Sequence, residues 1–436
     1  MSDKQLSVFI AGKQAGVLTQ DVNSALSFRY LRDYRGVPLS YAMPLSTRTY
    51  NDKIVKPYLW GLLPENPAVR ASVAARADVS PNNPFALLGI IGLDCPGAVQ
   101  FCSSNSEITR KEQLTPISNT QIAHRLSSDK SHQPAWITKN EHWSLGGAQN
   151  KFALRKQNNK WFSCEGNAAT THIFKSGVLG LSHQALNEYV CMKLAALCKI
   201  PTANVEYREF KYENKNSTES NTEPAIIIER YDRLTDGTNV TRLHQEDICQ
   251  ALSCPPENKY TMYGGPTSAD ILKLLLQTGS KAQSNVAHFL QMLFFNYLLA
   301  ATDAHAKNYS LILKANGDHV LAPFYDVASI VPYVGSAEFE KKPPKLAMSI
   351  GSENRAGCIS LNNLRKMVKQ CHLEQVGITA DGCANLICTY AKMIPKHLAK
   401  VFDSLENSEI TSSANELREH MESPIVKLCK KAQAHL

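Results

Sequence analysis

The order of secondary-structure signals constrains this chain of 436 residues more than any bulk property: strands dominate up to about residue 240 and helices after it. Residues 6–18, LSVFIAGKQAGVL, predict two short strands around a Gly-containing turn. Turn clusters such as Leu63-Pro64-Glu65-Asn66-Pro67 and Pro81-Asn82-Asn83-Pro84 punctuate the first hundred residues, and a polar stretch from Ser103 to Asn119 suits a boundary. From Ser144 a small-residue loop, SLGGAQNK, runs into a strand (FALRK), a turn, then WFSCEG and THIFK. A helix is expected from Ser182 as N-cap to Cys198, with Leu186, Tyr189, Val190, Leu194 and Leu197 at helical spacing. Strands at 203–208 and 225–231 bracket a polar insertion, KYENKNSTESNTEP, expected as a hairpin loop. Farther on, Ser284 is placed to cap a helix whose Val286, Phe289, Leu290, Leu293, Tyr297 and Ala300 form a broad apolar face. Residues 360–436 read as mostly helical.

Composition narrows the class. With 43% hydrophobic and 20% charged residues the chain reads as globular, and its length implies two or three packed units. A net charge of +8 permits anionic partners but is equally that of a solvated surface. The twelve cysteines are scattered without any C-x-x-C, which argues against a disulfide framework or a zinc site. The start, MSDKQLSVFIAGK, lacks the pattern of a secretory signal, and the most apolar stretch, Phe289 to Ala301, is too short to span a bilayer. A cytoplasmic protein with reduced thiols is expected.

The pattern with the most recognisable spacing lies in the helical half. Asp303 and Asn308 stand five apart in TDAHAKN, the spacing of a kinase catalytic loop. A hairpin turning at Asn316-Gly317-Asp318 follows, and its far end carries Asp326 in PFYD. Phosphoryl transfer needs a carboxylate to orient the acceptor hydroxyl, an Asn and Asp to hold Mg²⁺, and a cation with main-chain N–H groups on the phosphates. Asp303, then Asn308 with Asp326, fit the first roles. Lys175, closing THIFK, can reach phosphates, with Glu188 on the next helix as its ion-pair partner. The segment Ser144 to Lys151 offers a small-residue phosphate loop, and IIIERYDR ends in Glu229, Arg230 and Tyr231 where an interlobe hinge would read adenine. His305 could touch the phosphates.

Taken together, SLGGAQNKFAL, THIFK, Asn187-Glu188, IIIERYDR, LHQEDICQAL, ATDAHAKN and PFYD resemble the HipA family of bacterial toxin kinases, and LLPENP and NPFALLGIIGLDCPGAV resemble its N-terminal subdomain. The resemblance implies an α+β, bilobed protein-kinase-like fold related to lipid kinases, with a β-rich N-terminal lobe and an α-rich C-terminal lobe. It implies an N-terminal subdomain over 1–108, a small lobe over 135–232 and a large lobe over 233–436. By motif it implies that Asp303 is the catalytic base. Gly146, Gly147, Ala148, Gln149, Asn150 and Lys151 would line the phosphate loop, and Lys175 would contact phosphate. Glu229, Arg230 and Tyr231 would form the hinge, while His305, Ala306, Lys307, Asn308 and Tyr325 surround ATP and Asn308 and Asp326 hold Mg²⁺. Ser144 matches the family's autophosphorylated serine, whose modification displaces the loop and switches the kinase off. The implied substrate is glutamyl-tRNA synthetase, with growth arrest as outcome. The implied partner is a HipB-type antitoxin dimer that binds operator DNA. Ala301-Thr302 stand where eukaryotic protein kinases carry His-Arg, and Val327 follows Asp326 where Phe-Gly would stand, which argues against a eukaryotic activation loop. A small-molecule or lipid kinase sharing the Asp–Asn–Asp core, or a kinase-like DNA-bound corepressor, are the alternatives.

Overall fold

Alternation of apolar and polar residues makes the first strands. In Lys4–Ile10, Leu6, Val8 and Ile10 are buried, and the strand pairs antiparallel with Lys13–Gln20, Leu6 facing Leu18. The fold is taken from a computed structural model that describes residues 3–103, 112–130, 141–147, 149–178, 180–213, 220–334, 342–406 and 408–436. The middle of the polar insertion, Asn214 to Glu219, and Ala148 of the phosphate loop lie outside the described residues. The chain forms two compact units: residues 1–177, 208–257 and 310–318 make the first, and 178–207, 258–309 and 319–436 the second.

The first unit holds the two largest sheets. One is five-stranded, in the order Thr49–Tyr50, Leu26–Tyr30, Lys13–Gln20, Lys4–Ile10, Val99–Cys102. Helices Asp52–Leu62, Pro67–Ala75 and Pro84–Ile91 share its core, which includes Phe28, Tyr58, Leu59, Leu88 and Phe101. The last two helices start where the turn clusters end. Asn66 and Asn83 cap them by accepting from the N–H groups of Ala68 and Ala86, with Pro67 and Pro84 in the first turn.

The other sheet is six-stranded, in the order Val205–Glu213, Ser220–Glu229, His172–Lys175, Phe152–Gln157, Lys160–Glu165, Gln113–Ile117. Phe152 stacks on Phe174 at 5.1 Å and Trp161 meets Phe174 edge-on, filling a core to which helix Asn119–Lys130 contributes Ile122, Ala123 and Leu126. The polar stretch expected as a boundary thus partly joins the sheet: Gln113–Ile117 pairs with Trp161–Glu165 as an edge strand. Its mostly exposed side chains explain the polar composition.

In the second unit two expected caps are displaced. The first helix runs Gln184–Leu197 and is entered through His183 at φ +56°, while the carbonyl of Ser182 accepts the Tyr333 hydroxyl. The second runs Ala282–Leu299 and starts after Lys281, so Ser284 lies in its first turn with Oγ donating back to the Lys281 carbonyl. This helix is buried around most of its circumference, Met292, Phe294, Phe295 and Leu298 as well as the expected apolar positions. Helices Ser268–Leu275, Leu361–Gln370, Ala380–Asp403 and Thr411–Ala434 and the strand pair Lys345–Ile350/Glu353–Arg355 also belong to the unit. Among the described residues no helix is long and apolar enough to cross a membrane.

Candidate active site

The helix Ala282–Leu299 ends in a left-handed turn at Ala300, φ +49°, which launches the segment Thr302–Asn308. The Nδ2 of Asn308 donates to the Asp303 carbonyl at 3.0 Å, and two main-chain bonds, His305 N to Asp303 O and Asn308 N to His305 O, close the loop on itself. Asp303 is exposed; His305, Ala306, Lys307 and Asn308 are buried. The loop therefore offers one carboxylate to solvent on a tightly bonded frame. Tyr260 donates its hydroxyl to Asp303 Oδ1 and lies edge-on to the His305 ring.

The Tyr325 hydroxyl, next in sequence to Asp326, donates to the Lys307 carbonyl, next to Asn308, at 3.0 Å. Asp326 itself adopts φ +61°, a left-handed conformation uncommon for residues with a side chain and tolerated best by Asn and Asp. Such a conformation persists where the surroundings impose it, often at functional sites. Nearby, Ser329 Oγ bonds the Leu299 carbonyl, and Asn187 Nδ2 bonds the Ser329 carbonyl, fixing the chain after Asp326. Glu188 lies buried beside Asn187 on the helix Gln184–Leu197.

The remaining expected residues belong to the first unit. Ser144 is fully buried; its Oγ donates to the Leu62 carbonyl at 2.6 Å and its N–H to the Asp94 carbonyl. The loop that follows is held by the LLPENP turn. Pro64 bridges Gly147, Glu65 N donates to Gly147 O, and Asn66 Nδ2 donates to Asn150 Oδ1 at 2.8 Å. Gly147 needs to be glycine: its φ is +104°, and a Cβ would sit 2.7 Å from Lys151 Nζ, which bonds the Gly146 carbonyl. Gln149 is half-buried beside this turn. Lys175 is buried at the end of its strand, opposite Ile226. Glu229, opposite His172, and Tyr231, whose hydroxyl donates to Gln245, are half-buried.

The Arg230 side chain has partners of its own. Its guanidinium is spent on Asp232, Asp94, Thr170 Oγ1 and the Cys95 carbonyl, and its N–H on the Thr171 carbonyl. Arg233 and Arg242 join the same buried cluster through Asp94 Oδ1. Burial pushes the Asp94 carboxyl up, but Arg233, Arg230 and Arg242 together outweigh it and hold the group well below the usual carboxylate range. The Arg230 side chain is thus committed to this buried cluster. Sequence reasoning missed this cluster and Tyr260, since Asp94 and Asp303 lie far along the chain from the residues they hold; the turn residues of LLPENP were the one available hint of the loop's support.

Comparison with known proteins decides the family. Residues 143–405 match the HipA-like C-terminal domain and residues 6–102 the HipA N-terminal domain. The chain belongs to the HipA family. It is 33% identical to a putative kinase (Y4mE) of Sinorhizobium fredii over 80% of this chain and 82% of that protein. It is 28% identical to the serine/threonine-protein kinase toxin HipA of Shewanella oneidensis over 91% of this chain and 89% of that one. A solved structure of the Shewanella oneidensis MR-1 toxin–antitoxin system, HipA with HipB and its operator DNA, matches with a TM-score of 0.77 and 26% identity, covering 98% of this chain and 99% of that one. The architecture is accordingly the protein-kinase-like α+β fold of HipA, and the chain is a serine/threonine kinase of this family.

Proposed function

We propose that this HipA-family kinase transfers the γ-phosphoryl group of ATP to a serine hydroxyl of a protein, with Asp303 as the base that orients and accepts the hydroxyl proton. The observation that supports the reading is the bond from the Tyr325 hydroxyl to the Lys307 carbonyl, which ties the residue before Asp326 to the residue before Asn308. The Asn308 amide oxygen and the Asp326 carboxylate would together suit a hard divalent cation, and Mg²⁺ held there would neutralise charge on the transferring phosphates. Lys175 and the main chain of Gly146 to Lys151, Ala148 included, would hold phosphate oxygens. Glu229, Arg230 and Tyr231 would form the hinge that frames the adenine, and His305, Ala306, Lys307 and Tyr325 would line the nucleotide. The sequence division into 1–108, 135–232 and 233–436 remains the proposed functional organisation. We take Ser144 as the autophosphorylated residue, glutamyl-tRNA synthetase as the acceptor, and growth arrest as the consequence. The Shewanella complex supports a HipB-type antitoxin as partner, with operator DNA bound through that complex.

Purified protein, Mg²⁺ and γ-labelled ATP test the assignment, read by phosphoprotein mass spectrometry with glutamyl-tRNA synthetase present. Label is expected on the synthetase and on Ser144, and none with Asp303→Asn or Asp326→Asn at unchanged melting temperature. Full labelling by either variant would overturn the roles; a labelled small molecule from cell extract without any phosphoprotein would favour a metabolite or lipid kinase.

A further inference from the structure

A kinase needs a surface for the acceptor chain as well as a base, and the turn Asn258–Gly265 carries features suited to one. Its Tyr260 points to the base: the phenol donates to Asp303 Oδ1, and its ring is clamped between the His305 ring, 4.9 Å away at 78°, and the Lys259 ammonium, 5.6 Å from the centroid. Two residues on, the chain turns outward. Met262 and Tyr263 are 79% and 60% exposed, the one sequence-adjacent pair of exposed large hydrophobic residues among those described. The Tyr263 ring nevertheless stays 6.1 Å from that of Tyr260. An apolar pair so exposed, one ring away from an exposed carboxylate, marks a contact surface rather than unfinished packing.

The turn is rigid. Tyr263 N and Gly265 N both donate to the Tyr260 carbonyl, Gly264 N donates to Thr261 O, and Thr261 Oγ1 donates to Pro266 O. At Gly265 a Cβ would lie 1.8 Å from the Asn258 carbonyl oxygen, so the close approach requires glycine. Side chains displayed on a fixed turn lose little further freedom when they bind. A carboxylate anchored through one oxygen likewise presents the other in a fixed direction, the arrangement by which a third group orients a catalytic base.

We propose that this turn is the acceptor-side element of the kinase. Tyr260 is a positioning residue that fixes the Asp303 carboxylate. Met262 and Tyr263 form an apolar lip for the polypeptide flanking the serine or threonine to be phosphorylated. The proposal rests on Asp303 being the base.

The test uses the full chain, Mg-ATP and a library of serine- and threonine-centred peptides with randomised flanks. Wild-type protein is expected to select apolar residues beside the acceptor. Tyr260→Phe keeps that selection and the KM for ATP but lowers kcat about five- to tenfold. The double variant Met262→Ser/Tyr263→Ser erases the selection and raises the KM for the preferred peptide about tenfold, with kcat and melting temperature unchanged. Wild-type kcat or a faster rate in Tyr260→Phe, no apolar selection by the wild type, or unaltered selection in the lip variant would each overturn it. Asp303→Asn serves as the control. If it turns over normally, the base assignment falls and the proposal with it; if it is inactive while Tyr260→Phe is unaltered, only the proposal falls.

Discussion

The main-chain carbonyl of Asp94 accepts the N–H of Ser144, so the serine that opens the proposed phosphate loop and the buried arginine cluster share one residue. The Asp94 carboxylate meets Arg230, Arg233 and Arg242 and receives both the N–H and the hydroxyl of Thr170. Removing that anion leaves buried guanidiniums without enough negative charge, and breaking a buried ionic group in this way costs about 3–5 kcal/mol. Asp94→Ala should therefore unfold at clearly lower urea concentration. Because the folded carboxyl is held below its ordinary value of 3.8, its contribution is complete above that pH and lost as the pH falls below it. Urea midpoints of wild type and variant should converge in acid; equal midpoints at pH 7 would show that the cluster does not hold the fold.

Ser144 presents a conflict between burial and modification. Its Oγ donates to the Leu62 carbonyl at 2.6 Å with no exposed surface, and a phosphate carrying nearly two negative charges has no place there. Ser144→Glu should expel the segment 141–151, seen as faster proteolytic cleavage there and a raised KM for ATP. Ser144→Ala should keep the loop closed and lose about 1 kcal/mol. A Ser144→Glu protein as protected as the wild type would contradict displacement of the loop by charge.

Local pattern carried most of the fold into view. The strands 6–18, FALRK and THIFK, and the apolar helix through Phe289, declare themselves through alternation or helical spacing, because each buries its own face. Helix starts did not. Ser182 and Ser284 are good capping residues by type, yet His183 and Lys281 occupy the caps. Arg230 illustrates the larger difficulty. Its position after a hinge-like strand suggested a nucleotide contact, while its side chain answers to Asp94, 136 residues earlier. Tyr260 and Asp303 are likewise 43 residues apart. Nothing in local spacing reveals such pairs.

Asp326 allows backbone strain and chemistry to be separated. At φ +61° any side chain with a Cβ costs about 1–2 kcal/mol, which glycine avoids. Asp326→Gly and Asp326→Ala both remove the carboxylate, so both should lose phosphoryl transfer. Their difference in stability isolates the backbone: the glycine variant should be the more stable by about 1 kcal/mol in denaturant unfolding. Equal stabilities would mean that the left-handed conformation relaxes once the carboxylate is gone.

Glu246 makes the stability of the first unit depend on pH in the direction opposite to Asp94. Its side chain is fully buried, Oε1 accepts the Tyr41 N–H, and Oε2 meets no hydrogen-bond partner among the described residues. Burial pushes its carboxyl up to about 8, against the opposing hydrogen bonds from Ser40 and Tyr41. The folded protein thus keeps this proton at neutral pH, whereas the unfolded chain, with an ordinary value of 4.5, has released it. Stability from this group falls as the pH rises from 4.5 and levels off above about 8. Glu246→Gln, which stays neutral and keeps the shape, removes the slope. Its advantage over wild type in urea unfolding should grow between pH 5 and pH 8, toward a ceiling on the order of 4 kcal/mol, and then stay constant. Parallel curves for the two proteins across that range would mean that the buried carboxyl is already ionised at neutral pH.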